Sequence, residues 1–383
     1  MLNRIVEGLR LWQKFTLVAA LGLAMCLPST VGFLRHHWLS HQQAQRAVAG
    51  VEPSKALMRA LVSLQNQMAL AACLDCGNDA PISATAGLQA AVSQTQQAMT
   101  ALDQQVLKHP DLADASSAKR AAITKSWLSL TQVLQATQPI SAINSGQIMG
   151  LHDDTGKQLV ELLQQINDWS GLIRDNVPSH HYLATSALRT MPELLDSMAQ
   201  LRAKGVSLLC NPQTKGTARA SLAIMADRTQ AQWRETERML AMLGTSDARF
   251  AGLQQVAHDK TAPLLVEALA NTHENLIQVS APWITANDYL RLVGKAQDAQ
   301  YALSLMALDQ LQELVQEQQA QQLQQLALFF FTFALSAAIS LAVIGLTVRQ
   351  TQRSMREAVD IAECVATGET QNIPQVSGKD EIG

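Results

Sequence analysis

Cys73-Leu74-Asp75-Cys76 sets two thiols three residues apart, and Cys210 adds a third further along the chain. In an oxidising compartment such a pair can close a disulfide, exchange with another thiol, or supply half of a metal site. No second C-x-x-C or paired-histidine motif completes a zinc set, and no thioredoxin-like βαβ pattern surrounds the pair. The spacing therefore predicts a disulfide, either Cys73 to Cys76 or one of these to Cys210, with plain buried thiols as the alternative. No metal and no cofactor is expected. Cys26 and Cys364 lie in other parts of the chain and read as small apolar packing residues.

His36-His37 and His180-His181 are adjacent pairs, and neighbours on a helix point about 100 degrees apart, so neither makes a metal site alone. Arg174, Arg189 and Arg202 are the candidates to grip a small carboxylate, because a guanidinium pairs with it through two parallel hydrogen bonds. Arg202 leads the three: it follows Leu195 and Met198 at helical spacing and so borders a core face. No H-E-x-x-H, G-x-S-x-G, Walker or Rossmann motif is present, and the chain is not expected to be an enzyme.

The elements that must position these residues are helices. With 7 Phe, 3 Tyr and 19 Gly in 383 residues, the chain is poor in sheet formers and turn formers and rich in Ala, Leu and Gln. The fold class expected is all-α. A net charge of -3 advertises no nucleic-acid partner.

Two windows lack any ionisable residue, Phe15 to Leu34 and Leu326 to Val348. At 1.5 Å per residue they reach roughly 30 and 35 Å, enough to cross a bilayer core as two transmembrane helices. Pro28 is tolerable in such a helix, and no A-x-A site follows to mark a cleaved signal. Arg4, Arg10 and Lys14 precede the first window, and Arg349, Arg353 and Arg356 follow the second, which puts both termini on the cytoplasmic side of a bacterial inner membrane. The division expected is 1-14 cytoplasmic, 15-34 membrane, 35-325 periplasmic sensor, 326-348 membrane and 349-383 cytoplasmic.

Within the outer region Pro53, Pro81, Pro110 and Pro139 recur about every 29 residues and read as punctuation between helices. Leu57, Leu61, Leu64 and Met68, then Met191, Leu194, Met198, Leu201 and Gly205, step by three or four as bundle cores do. The two stripes superimpose, Leu57 on Leu194, Leu61 on Met198, Leu64 on Leu201 and Cys73 on Cys210. This weak repeat predicts two stacked helical bundles of the four-helix type. From about Trp283 to Val348 one long helix is expected to run into the second span.

Beyond it, Val348, Thr351, Met355, Ala358, Ala362 and Val365 mark a heptad seam. Gly368 ends it, a connector with Ile373, Pro374 and Val376 follows, and the chain closes on Asp380-Glu381-Ile382-Gly383. This order resembles the HAMP signal-relay module, with Gly368, Asp380, Glu381 and Gly383 at its motif positions. Ser354 replaces a usual proline and Thr370 a usual leucine. The resemblance implies a homodimer and a chain cut before the second HAMP helix, as a fragment or as a natural truncation.

The outer region is similar to that of a group of methyl-accepting chemotaxis proteins and sensor kinases. Leu11-Trp12-Gln13-Lys14-Phe15, Val51-Glu52-Pro53, Ser170-Gly171-Leu172-Ile173, Tyr182-Leu183, Met191-Pro192-Glu193-Leu194 and Leu201-Arg202-Ala203-Lys204-Gly205 carry the likeness. Where relatives tend to carry His-Arg-Gly, this chain reads Gln65-Asn66-Gln67-Met68-Ala69, so its ligand is expected to differ. The resemblance implies sensing of a small ligand, relayed through HAMP to chemotaxis partners. A histidine kinase or diguanylate cyclase output is the alternative, and a non-signalling membrane scaffold is a third.

Overall fold

The computed structural model describes residues 11–74, 76, 82–136, 145–174, 177–210, 215–279 and 282–367, with backbone alone for 11–29. Every regular element among them is helical: α1 (Leu11–Ala72), α2 (Ile82–Leu107), α3 (Pro110–Ala136), α4 (Ser145–Ser170), α5 (Pro178–Thr185), α6 (Met191–Cys210), α7 (Lys215–Ser246), α8 (Ala251–Val256), α9 (Ala262–Thr272) and α10 (Ala286–Thr367). The all-α expectation holds. Pro110 opens α3, where its missing N–H costs nothing, with Asp111 in the first turn. At the start of α10 the Thr285 hydroxyl receives the Asp288 N–H at 3.1 Å and donates to the Asp288 carboxylate at 2.7 Å, a reciprocal cap.

Two prolines do not end helices. Pro53, read from sequence as punctuation, lies inside α1, and Pro192 lies in the first turn of α6. A proline leaves the carbonyl four residues back without its donor. For Pro192 that carbonyl belongs to Leu188, which instead accepts the side-chain amide of Asn167 from α4 at 3.2 Å. A π-turn, Ser186–Thr190, joins α5 to α6 just before this proline, and another, Ala257–Thr261, joins α8 to α9 just before Pro263. The extra residue in each turn opens the ladder where the ring needs room.

The chain divides into two compact units, 42–319 and a second made of 1–41 with 320–383. In the larger unit, successive helices reverse direction. Arg120 of α3 pairs with Asp103 of α2, and the Trp127 indole donates to Gln96 at 2.6 Å, contacts whose numbers run in opposite order. Lys119 and Gln165 tie α3 to α4 in the same sense. Four passes share the middle: α1, α4, the α5/α6 rod and α10. Lys55 of α1, almost fully buried, reaches Asp309 of α10 at 2.6 Å and also Gln312. Gly50 of α1 abuts Ser170 of α4, where a Cβ would collide with the serine side chain.

The expected two stacked bundles are thus two repeats inside one body with one contiguous core. Their first helices, α1 and α6, lie side by side and parallel, each carrying its stripe fully buried: Leu57, Leu61 and Leu64 against Leu194, Met198 and Leu201. A helix apolar on nearly every side must be surrounded, which is why neither repeat closes a core alone.

In the smaller unit, the Phe33 ring stacks on Phe329 with centroids 4.2 Å apart. The part of α10 from Leu326 to Val348 turns Leu328, Phe331, Leu335, Leu341 and Leu346 outward, and α10 is long and apolar enough to cross a membrane. It runs past the expected end at Val348 as far as Thr367. Met355 of the predicted seam is 53% exposed. The side chains of 15–29 in the first predicted span, and Gly368, Asp380, Glu381 and Gly383 of the HAMP-like motif, lie outside the described residues.

Candidate functional site

Arg202 projects from α6 into the seam between α1 and α10. Its Nε donates to the Leu290 carbonyl at 3.0 Å, and Nη1 donates to Asn66 Oδ1 at 2.9 Å and to Gln297 Oε1 at 3.3 Å. Gln297 Nε2 in turn donates to Gln65 Oε1 at 3.0 Å. Every one of these partners is neutral. Asp298 is the nearest carboxylate acting on the guanidinium, without closing an ion pair, and burial holds the Arg202 pKa below its ordinary value. A buried cation met at hydrogen-bond distance only by amides and a carbonyl is stabilised less than one facing a carboxylate.

The backbone makes room for this side chain. Gly294 of α10 faces the guanidinium so closely that a Cβ there would sit 2.7 Å from Nη2. One turn further along α6 the arrangement is reversed: Gly205 receives the ring of Tyr289 from α10. Tyr289 is fully buried and its hydroxyl lies 3.0 Å from Thr272 Oγ1. Two glycines and two long side chains therefore interlock α6 with α10.

About a third of a turn round α6 from Arg202, Asp196 faces α4. Gln200 donates to Asp196 Oδ2 at 3.0 Å, and Gly156 of α4 leaves space beside Oδ1. Burial first, and the Asp153 carboxylate second, push the Asp196 pKa up to about 6, against Arg228, Lys157 and the Gln65 amide, which hold it down. A folded-state pKa above the unfolded value means the folded protein binds the proton more tightly. This contribution to stability is complete below about pH 4 and is lost as the pH rises through about 6. Asp196→Asn is expected to gain stability relative to the parent as the pH rises from 4.5 to 7.5, exceeding it at pH 7.5 by about 1–3 kcal/mol. The buried His152, whose pKa burial lowers to about 4, gives both proteins a stability that rises with pH over the same range. The readout is therefore the difference between them: a difference that does not grow from pH 4.5 to 7.5 would refute the assignment.

Arg174 and Arg189, grouped with Arg202 from sequence, stand apart from it. Arg189 lies on the π-turn and pairs with Glu193 at 3.7 Å, and Arg174 pairs with Asp168 at 3.7 Å. Arg189, Glu193 and Asp168 line one open groove of about 260 Å³ between α4 and α6. Both arginines are largely exposed and already face carboxylates, so they are weak anion sites. His180 shares a 2.7 Å hydrogen bond with Gln318, and His181 Nδ1 donates to the Ile173 carbonyl at 3.1 Å.

Of the cysteine pairings that spacing allowed, one is present. Cys76 is bonded to Cys210, and Cys73 remains a buried thiol. Of the residues that complete the surroundings of Arg202, Gln65 and Asn66 belong to the stretch set against His-Arg-Gly in the sequence, while Gln297 carried no sequence signal as a site. Gln67 and Gln300 also have both amide atoms buried without a hydrogen bond.

No family model matches the chain, and no curated protein sequence does. A solved structure of the NasR transcription antiterminator superposes with a TM-score of 0.60 at 14% identity, covering 76% of this chain and 75% of that one. At that identity the likeness is one of fold.

Proposed function

We propose that the chain is the input part of a bacterial inner-membrane signalling receptor. In this reading, 35–325 faces the periplasm, a small anionic ligand of the carboxylate class binds at Arg202, and the change passes along α10 to a HAMP-like relay and a chemotaxis output. The observation that carries the reading is the placement of Arg202: it is a buried cation with neutral partners, and it holds α10, the helix that contains the membrane-length apolar segment. A ligand that draws the guanidinium away from Leu290 and Gln297 alters the hold of α6 on α10. Such a ligand shifts the helix only as far as its affinity differs between the two arrangements.

Topology is the first requirement and is tested directly. Trp283 is 87% exposed at the end of the bundle remote from the apolar segment, and Arg353 is exposed beyond that segment. In intact cells a membrane-impermeant maleimide is expected to label Trp283→Cys and to spare Arg353→Cys until the cells are opened. Equal labelling of both, or labelling of Arg353→Cys alone, would end the receptor reading.

A further inference from the structure

The three outer cysteines converge at one end of the α1/α6 pair, and one bond joins two of them. Cys76 and Cys210 have Cα atoms 4.3 Å apart, and the Cys73 Sγ lies 3.7 Å from the Ala69 carbonyl. The helices run parallel, and the contact of Asn66 with Arg202 sets their register. Carried upward, that register brings Leu74 level with Cys210, so that Cys73 lies one residue below the level of Cys210 and Cys76 two above it. By this register both stand within one helical turn of the level of Cys210. Cys73 follows Asn66 by two heptad-spaced turns and so shares the face of α1 that meets α6. Past Ala72 the chain tightens into 3-10 turns at Cys73, Leu74 and Cys76, in which side chains three apart lie over one another. The Arg202 guanidinium also interacts electrostatically with the Cys73 sulfur.

We propose that Cys73, Cys76 and Cys210 form an internal disulfide-exchange set in which Cys210 is held by either Cys76 or Cys73. The Cys73 thiol gives up its proton and its sulfur attacks Cys210 Sγ. The bond from Cys210 to Cys76 breaks, and Cys76 leaves as the thiolate and takes up a proton. One sulfur–sulfur bond forms and one breaks, so no oxidant or reductant is consumed. The exchange moves the covalent tie between α1 and α6 three residues toward the Asn66–Arg202 contact. It makes this end of the pair bistable whatever ligand the bundle takes.

The test uses the full chain, purified without reductant. One portion is denatured and alkylated at once, another after several hours folded at pH 8.5, and the bonds are mapped by digestion and mass spectrometry. Cys73–Cys210 is expected beside Cys76–Cys210, rising several-fold after the alkaline incubation, and Cys76→Ser is expected to carry Cys73–Cys210 in most molecules. Alkylation of Cys73 in every parent molecule after incubation overturns the proposal, as does a folded Cys76→Ser protein with Cys73 and Cys210 both alkylated. A Cys73–Cys76 bond in place of Cys73–Cys210 also overturns it, because that bond dissolves the tie instead of moving it. If Cys76→Ser does not fold, the parent map decides alone.

Discussion

Gly205→Val is expected to destabilise the larger unit by about 3 kcal/mol or more, seen as a lowered thermal midpoint. The physical reason is the ring of Tyr289, whose edge occupies the space that any Cβ at Gly205 would need. The ring cannot swing aside cheaply. It is fully buried, and its hydroxyl is held by Thr272 at 3.0 Å and lies 3.4 Å from the Leu201 carbonyl. Valine therefore forces α6 and α10 apart at the level where Arg202 and Gly294 also interlock. Shortening the obstacle tests the cause: Gly205→Val with Tyr289→Ala is expected to be more stable than the sum of the two single changes predicts, since the two residues share one space. A Gly205→Val protein with the parent's midpoint would mean that the two helices are not closely packed here.

Arg202→Met separates binding from stability. Methionine keeps much of the side-chain volume but leaves the Leu290 carbonyl, Asn66 and Gln297 without their donor, so the melting midpoint is expected to fall modestly, by the roughly 1–3 kcal/mol that unsatisfied buried acceptors cost. The response to ligand is expected to vanish. Loss of a charge-assisted bidentate contact weakens binding on the order of 100-fold, close to 3 kcal/mol. Thermal shift of the full chain against a panel of small carboxylates gives the readout, because a ligand that binds only the folded form raises its midpoint. Asn66→Ala is expected to weaken the same response by roughly 5–10-fold, the worth of one neutral hydrogen bond, whereas Gln297→Ala, which removes a contact the ligand has to break, is expected to leave it unchanged or strengthen it. A carboxylate that stabilises the parent and Arg202→Met equally would remove Arg202 from the site.

What the sequence displayed is what periodicity can display. The stripes from Leu57 and from Met191, the weak repeat between them, and the long helix toward Val348 are all present, because a buried helix face must repeat every three to four residues. The arrangement of the two repeats was not legible. Their fusion depends on α1 and α6 being covered on every side, and a run of Leu, Met and Ala does not say by what. Pro53 misreads as a helix end, and Pro192 shows how a proline is carried within a rod: the carbonyl it orphans is satisfied by Asn167, a residue distant in sequence, beside a π-turn that no local pattern announces.

The site divides along the same line. Arg202 could be singled out because it borders an apolar stripe, and Gln65-Asn66 because they stand where relatives tend to carry His-Arg-Gly, whereas Gln297 looks like an ordinary polar helix residue until α10 is brought against Arg202. Arg174 and Arg189 had the same residue type and no such setting. The carboxylates of Asp168 and Glu193 beside them are contacts that spacing alone half suggests, the second lying one turn from Arg189.

The bond between Cys76 and Cys210 has a mechanical meaning. The two cysteines are 134 residues apart, so α2 through α5 and most of α6 lie in a closed covalent loop hung on the path between the two chain ends. Tension applied through α1 and α10 crosses from Cys76 to Cys210 and bypasses that loop. In an optical trap the oxidised chain would extend by about 450 Å less than the reduced one, at roughly 3.4 Å for each sequestered residue. Load from the membrane side is thereby confined to α1 and to the segments after Cys210, with the looped helices between them mechanically slack.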